Sequence, residues 1–151
     1  MSAAPPEPEA PALEGFALIV VDGNNALGSR PDGWWRDRPR AMRRLVAGLR
    51  RLAESLDRTR VEVVFDGRPH AQVTEEAARE PAVPVEFAGP GADAADKVIA
   101  ARVREAERPG AVLVVSSDRR LRAAVKAAGG ASAGAGGFVR EHLREPSRDD
   151  G

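Results

Sequence analysis

No cysteine occurs among the 151 residues, which excludes disulfides, thiolate nucleophiles and cysteine-based zinc sites. Histidine is nearly absent. His70 and His142 stand far apart, so a His-built metal site or a Ser-His triad is disfavoured too. Any metal would have to be held by oxygen. Net charge is also lacking: 23 basic residues balance 23 acidic ones, so no global field draws the chain towards nucleic acid or membrane. A local basic face remains open. No apolar run approaches the roughly 20 residues needed to span a bilayer, and the N-terminus lacks the basic-then-apolar plan of a signal peptide. A cytoplasmic protein without a membrane partner is expected. A Walker phosphate loop is missing, and Gly134, Gly136 and Gly137 do not form a dinucleotide fingerprint.

What is present fits one domain with a sizeable core. Residues 1–14, with Pro5, Pro6, Pro8 and Pro11 among alanines and glutamates, have no periodicity and are expected to be a disordered leader. Residues 146–151 are expected to be an equally unstructured tail, which leaves 15–145 as the domain. Leu18-Ile19-Val20-Val21 reads as a strand buried on both faces, of the kind found in parallel sheets, and it runs into Asp22-Gly23-Asn24-Asn25. A loop from Gly28 to Pro39 follows. Arg40 to Leu56 then gives the clearest helix, with Met42, Leu45, Val46, Leu49, Leu52, Ala53 and Leu56 on one face.

Val61–Phe65 is a second strand, ending in Asp66-Gly67, and a short helix is expected around Thr74–Ala78. Val83–Phe87 is a third strand and Asp93–Glu107 a helix. Ala111–Val115 is a fourth strand, ending in Ser116-Ser117-Asp118. A helix over Leu121–Ala128, an edge strand over Ala131–Gly134 and a closing helix over Phe138–Leu143 complete the chain. Strands alternating with helices predict an α/β fold, with a mostly parallel sheet of four to five strands covered on both faces.

In such a sheet the carboxyl ends of the strands share one edge, where ligands bind. Asp22, Asp66 and Asp118 each follow a strand directly and would meet there. The helix from Asp93 adds another acid: Asp96 shares a stripe with Ile99, Ala100, Val103 and Ala106 and so faces the sheet, while Asp93 is placed to cap the helix. An inward carboxylate is costly unless paired, and like charges raise one another's pKa. A divalent cation accounts for Asp22, Asp96 and Asp118 together. The competing account is a structural network in which Asp22 and Asn24 only cap a turn or helix and arginines neutralise the acids. No arginine, however, stands beside them on the predicted inward faces.

Four motifs in order, Val-Val-Asp22-Gly-x-Asn25, Val-Phe-Asp66-Gly, Gly91-Ala-Asp93-Ala-Ala-Asp96-x-x-Ile99 and Val-Ser-Ser-Asp118, resemble the NYN domain nucleases, specifically their YacP-like branch among the PIN-like ribonucleases. The later Ala-Gly-Gly-Ala-Ser…Gly-Phe138 is similar to the family's closing segment. The resemblance covers about Phe16 to Leu143. It implies a three-layer α/β/α PIN-like fold and a Mg²⁺- or Mn²⁺-dependent endoribonuclease. Asp22, Asp96 and Asp118 would be the metal-binding acids, with Asn25 beside them as a catalytic residue and Asp66 and Asp93 as less certain additions. Relatives often carry a second acid after the Ala-Asp pair. Here Lys97 stands in that place, which would change the number of metals or add a phosphate contact.

On this reading Ser116 or Ser117 would orient a water or a phosphate oxygen. RNA is the implied partner, with a ribosome or another RNA-processing complex as recruiter. Between Arg30 and Arg60 there are ten arginines and four acids. Arg36, Arg38, Arg40, Arg43 and Arg44, with Lys97 and Arg119, are the candidate phosphate contacts. Trp34 and Trp35 are candidates for stacking on unpaired bases, with at least one expected to pack instead. The alternative from another class is a non-catalytic RNA-binding module of the same fold. An aspartyl-nucleophile phosphatase would want a second acid where Asn24 stands. A phospho-acceptor domain would want an acid pair before the phosphorylated Asp and a late lysine.

Overall fold

A computed structural model describes residues 12–30 and 33–143. Among these residues five strands and six α-helices follow one another: β1 Leu18–Asp22, α1 Gly23–Gly28, α2 Arg38–Glu54, β2 Arg60–Phe65, α3 Ala71–Ala78, β3 Val85–Phe87, α4 Ala94–Glu105, β4 Val112–Val115, α5 Arg119–Ala127, β5 Ala131–Ala133 and α6 Ala135–His142. All five strands are parallel, in the order β3-β2-β1-β4-β5. The first strand is therefore the central one. The chain builds outward from it through β2 and β3, then returns to its other side with β4 and β5. The switch point falls between β1 and β4, where open α/β sheets form their ligand crevice.

The period of two along each strand divides the interior. Ile19, Val21, Val61, Val63, Phe65, Leu113 and Val115 face one layer, covered by α2 through Met42, Leu45, Val46 and Leu49 and by side chains of α1, α3 and α6. Val20, Val64, Val112 and Val114 face the other, covered by Ala95, Ile99 and Val103 of α4 and Leu121 and Val125 of α5. The three layers anticipated from the apolar pattern are present. One buried acid interrupts the second layer. Glu62 of β2 is met by Arg102 of α4 at 2.9 Å, and the same guanidinium reaches Glu86 of β3 at 2.9 Å. Breaking a buried pair strands a charge, so this bridge fixes α4 against the sheet.

Several boundaries move from their expected places. A six-residue helix, α1, follows β1 without a loop, where Gly and Asn gave no helical signal. The leader does not extend to residue 14. Leu13–Gly15 forms a 3₁₀ turn and Leu13 is buried in the core, and the Thr59 hydroxyl anchors the segment by donating to the Phe16 carbonyl at 2.6 Å. Residues 1–11 and the expected tail at 146–151 lie outside the described residues. Helix α2 starts at Arg38 because Asp37 caps it, accepting the Arg40 N–H at 3.2 Å, and Pro39 suits the first turn. Strand β3 starts after Pro84, which has no N–H for the ladder. Helix α6 starts at Ala135, not Phe138. Among the described residues no helix is long and apolar enough to cross a membrane.

Candidate active site at the carboxyl edge of the sheet

Asp22 is the last residue of β1 and the N-cap of α1, its Oδ1 accepting the Asn25 N–H at 3.4 Å. Its Oδ2 accepts the Ser116 hydroxyl at 2.8 Å. Ser116, fully buried at the end of β4, has only one proton to donate. Its Oγ then accepts the Asp118 N–H at 3.1 Å, and Asp118 caps α5 by accepting the Leu121 N–H at 2.9 Å. Two acids from neighbouring strands are thus joined through one hydroxyl. The capping reading of Asp22 is correct, and it does not displace the convergence: a carboxylate has about four lone-pair sites.

The paired amides tie three strand ends together. Asn24 Oδ1 accepts the Asp66 N–H at 2.8 Å, and Asn25 Oδ1 accepts the Ser117 N–H at 2.7 Å. Adjacent residues of α1 therefore reach in opposite directions, one to β2 and one to β4. This requires α1 to start hard against β1, and Gly23 permits it: a Cβ there would overlap the ring of the buried Phe65. The tie made by Asn24 was not foreseen. Its partner lies 42 residues away, and nothing in the local pattern names it.

Helix α4 brings the remaining acids. Its N-terminus is capped from another strand: Asp66 Oδ1 accepts the Ala95 N–H at 2.9 Å. Asp93, expected to be the cap, makes no such bond and is exposed, because Asp66 already occupies that N–H face. The serines join these elements. Ser116 orients Asp22 and Asp118, and Ser117 Oγ accepts the Ala135 N–H at 2.9 Å, opening α6. With these partners both hydroxyls position the site's elements, and the exposed Ser117 hydroxyl still has its proton to donate.

Electrostatically the acids form one group. Burial pushes the Asp96 carboxyl up to about 6, and the negative charges of Asp22, Asp118, Asp93 and Asp66 add to the rise. Asp22 is raised chiefly by burial and secondarily by Asp66 and Asp118, against the lowering effect of the Ser116 hydroxyl and the Asn25 N–H. Among the described residues no arginine or lysine forms an ion pair with Asp22, Asp66, Asp96 or Asp118. Asp22, Asp66, Asp93 and Asp118 thus all act on Asp96, without the cation a structural network would need among the described residues. The model of the YacP-like NYN domain matches residues 19–149, a span that contains all five.

The chain belongs to the YacP-like NYN family. Its fold is similar to that of Rae1 (YacP) from Bacillus subtilis, seen in the crystal structure of a W164L mutant. The TM-score is 0.54 at 22% identity, over 83% of this chain and 74% of that one. That likeness is one of fold. No curated protein matches the chain in sequence.

In this NYN domain no three acids among the described residues stand close enough to enclose an ion with their own oxygens. A hydrated Mg²⁺ does not require that, since it keeps several waters and takes one or two carboxylates. The remaining sequence candidates divide. Lys97 lies on α4 one residue from Asp96, and Arg119 opens α5; both are exposed. Arg36, Arg40, Arg43 and Arg44 are exposed around the start of α2, and Arg36 lies 5.9 Å over the ring of Trp35. Arg38 is partly buried and its Nε makes no hydrogen bond among the described residues. Trp34 packs on the core, whereas Trp35 is 63% exposed. His70 sits edge-on to Phe87 and His142 against Phe138, which accounts for both without chemistry.

Proposed function

We propose that this NYN domain is a divalent-metal-dependent endoribonuclease that hydrolyses RNA phosphodiester bonds at the Asp22–Asp96–Asp118 cluster. The observation that carries the reading is Asp96: a partly buried carboxylate, crowded by four other acids, with no cationic partner among the described residues. Such crowding is unfavourable in isolation, and Mg²⁺ or Mn²⁺ would relieve it. The donor set is made only of hard oxygens, which suits either ion and no softer one. Asp22, Asp96 and Asp118 would hold the ion, directly or through its waters, and Asp66 would lend its second oxygen.

When bound, the ion would supply charge relief on the phosphoryl oxygens and an acidified water for in-line attack. The chain's own residues do the positioning. Ser116 holds Asp22 and the Asp118 backbone in fixed relation. The Asn25 side-chain oxygen fixes the loop at Ser117 and leaves its NH₂ group to donate to a phosphate oxygen. A YacP-like NYN domain with basic residues beside the acid edge favours RNA over a small phosphoester.

The test is cleavage of labelled single-stranded and structured RNA, with a DNA control, in Mn²⁺, Mg²⁺ or EDTA. Wild type is expected to cut RNA in either metal and not in EDTA, and Asp96→Asn to lose at least a hundredfold in rate. Equal cutting by Asp96→Asn would remove the assignment. RNA binding by both proteins without cutting would replace it with the non-catalytic module.

A further inference from the structure

A cleft of about 270 Å³ runs between α4 and α5, and Asp96 lies in its wall, so it opens onto the acid cluster. Its cations are Lys97 and Arg104 from α4 and Arg120 from α5. Lys97, Ala100 and Arg104 are spaced i, i+3 and i+7 and share one stripe of α4, which puts the two charges about 10 Å apart along the helix axis. Arg120 and Ala124 form the matching i, i+4 stripe of α5. Between the charged walls the floor is made of Ala100, Leu121 and Ala124.

Lys97, Arg104 and Arg120 are exposed, and among the described residues none of the three forms an ion pair. By contrast Arg50 is paired with Glu76, and Arg102 with Glu62 and Glu86. Helix α5 adds Arg119, Arg122 and Lys126 and contains no acid at all. Asp93 and Asp96 line the same cleft; its three cations, which form no ion pair among the described residues, are complementary to a polyanionic strand.

We propose that the α4–α5 cleft is the bed of the RNA strand leading to the scissile phosphate, with Lys97, Arg120 and Arg104 contacting successive backbone phosphates away from the acids. This rests on the nuclease reading for its direction, since the strand would run from Asp96 towards Arg104. Of the phosphate contacts expected from the sequence it keeps Lys97, and it adds Arg104 and Arg120, which the sequence did not single out.

The experiment is anisotropy of a labelled mixed-sequence single-stranded RNA in EDTA across a salt series, which reads binding without cleavage. Arg104→Ala and Arg120→Ala are each expected to weaken binding several-fold and to lower the slope of log K against log salt by about 0.7, one phosphate contact on a single strand. Arg104→Lys should keep most of the affinity, and Arg58→Ala, on the opposite edge of the sheet, all of it. Unchanged melting temperatures would certify the folds. Wild-type affinity and slope in both cleft variants would overturn the proposal, as would failure of the wild type to bind, or a loss confined to Arg40→Ala and Arg43→Ala. The two readings fail separately. Binding through the cleft without cutting in Mn²⁺ leaves the bed standing and removes the nuclease, whereas cutting indifferent to the cleft variants does the reverse.

Discussion

Ser116 gives its single hydroxyl proton to Asp22 and takes the Asp118 N–H on its lone pair, at zero exposure. Ser116→Ala leaves a buried acceptor and a backbone donor unmatched, and a loss of about 1–3 kcal/mol is expected by denaturant titration. It also removes the larger of the two hydrogen bonds that lower the Asp22 pKa, so the acidic limb of any cleavage profile should move to higher pH. Asp96 gives the opposite sign of stability effect. Its folded carboxyl holds a proton up to about 6 against 3.8 unfolded. The stability it contributes is complete below 3.8 and lost as pH rises through 6. In EDTA, Asp96→Asn should therefore melt above wild type at pH 8, by an amount on the order of 1 kcal/mol once solvent screening is allowed for. The two should converge near pH 4. The acids themselves were legible because strand ends and a helix stripe announce them. Ser116's role was not: its partner is 94 residues away, and proximity of that kind leaves no mark on a local pattern.

Among the elements, α1 shows most clearly where local signals end. Gly23-Asn24-Asn25 are poor helix formers, and the segment reads as loop. It is helical because Asp22 caps it and because both amides are held from outside, by Asp66 and by the loop at Ser117. Gly23→Ala keeps or improves propensity yet should destabilise by about 1–3 kcal/mol, since the methyl meets the Phe65 ring in a packed interior. Thermal unfolding checks this. A gain in stability would show that Phe65 can move aside. Helix α2, by contrast, was legible nearly to its ends, because its apolar stripe continues over four turns against the sheet. The short strands β3 and β5, three residues each, were found but not bounded, since pairing with a longer neighbour decides their length.

At the scale of the molecule, alternation of strand and helix was enough to predict a parallel sheet with two covered faces. Strand order was not readable, because β2, β3 and β4 carry similar apolar runs. Order matters to function: placing β1 between β2 and β4 is what collects Asp66, Asp22 and Asp118 at one switch point. An ion bound by that collection should stabilise the whole fold by mass action. Millimolar Mn²⁺ or Mg²⁺ is expected to raise the melting temperature of wild type by a few degrees and that of Asp96→Asn by much less, and equal shifts would place the ion elsewhere.

The placement of β1 has a consequence in time. The strand made first lies at the centre of the sheet, and the serine that orients its acid is made 94 residues later. At about 5–20 residues per second, that interval is roughly 5–20 s of synthesis. Until β4 and α5 have left the ribosome, Asp22 lacks its hydroxyl donor and its partner Asp118, and the α4–α5 cleft does not exist. On the nuclease reading proposed above, a fragment ending before β4 is expected to leave RNA uncut.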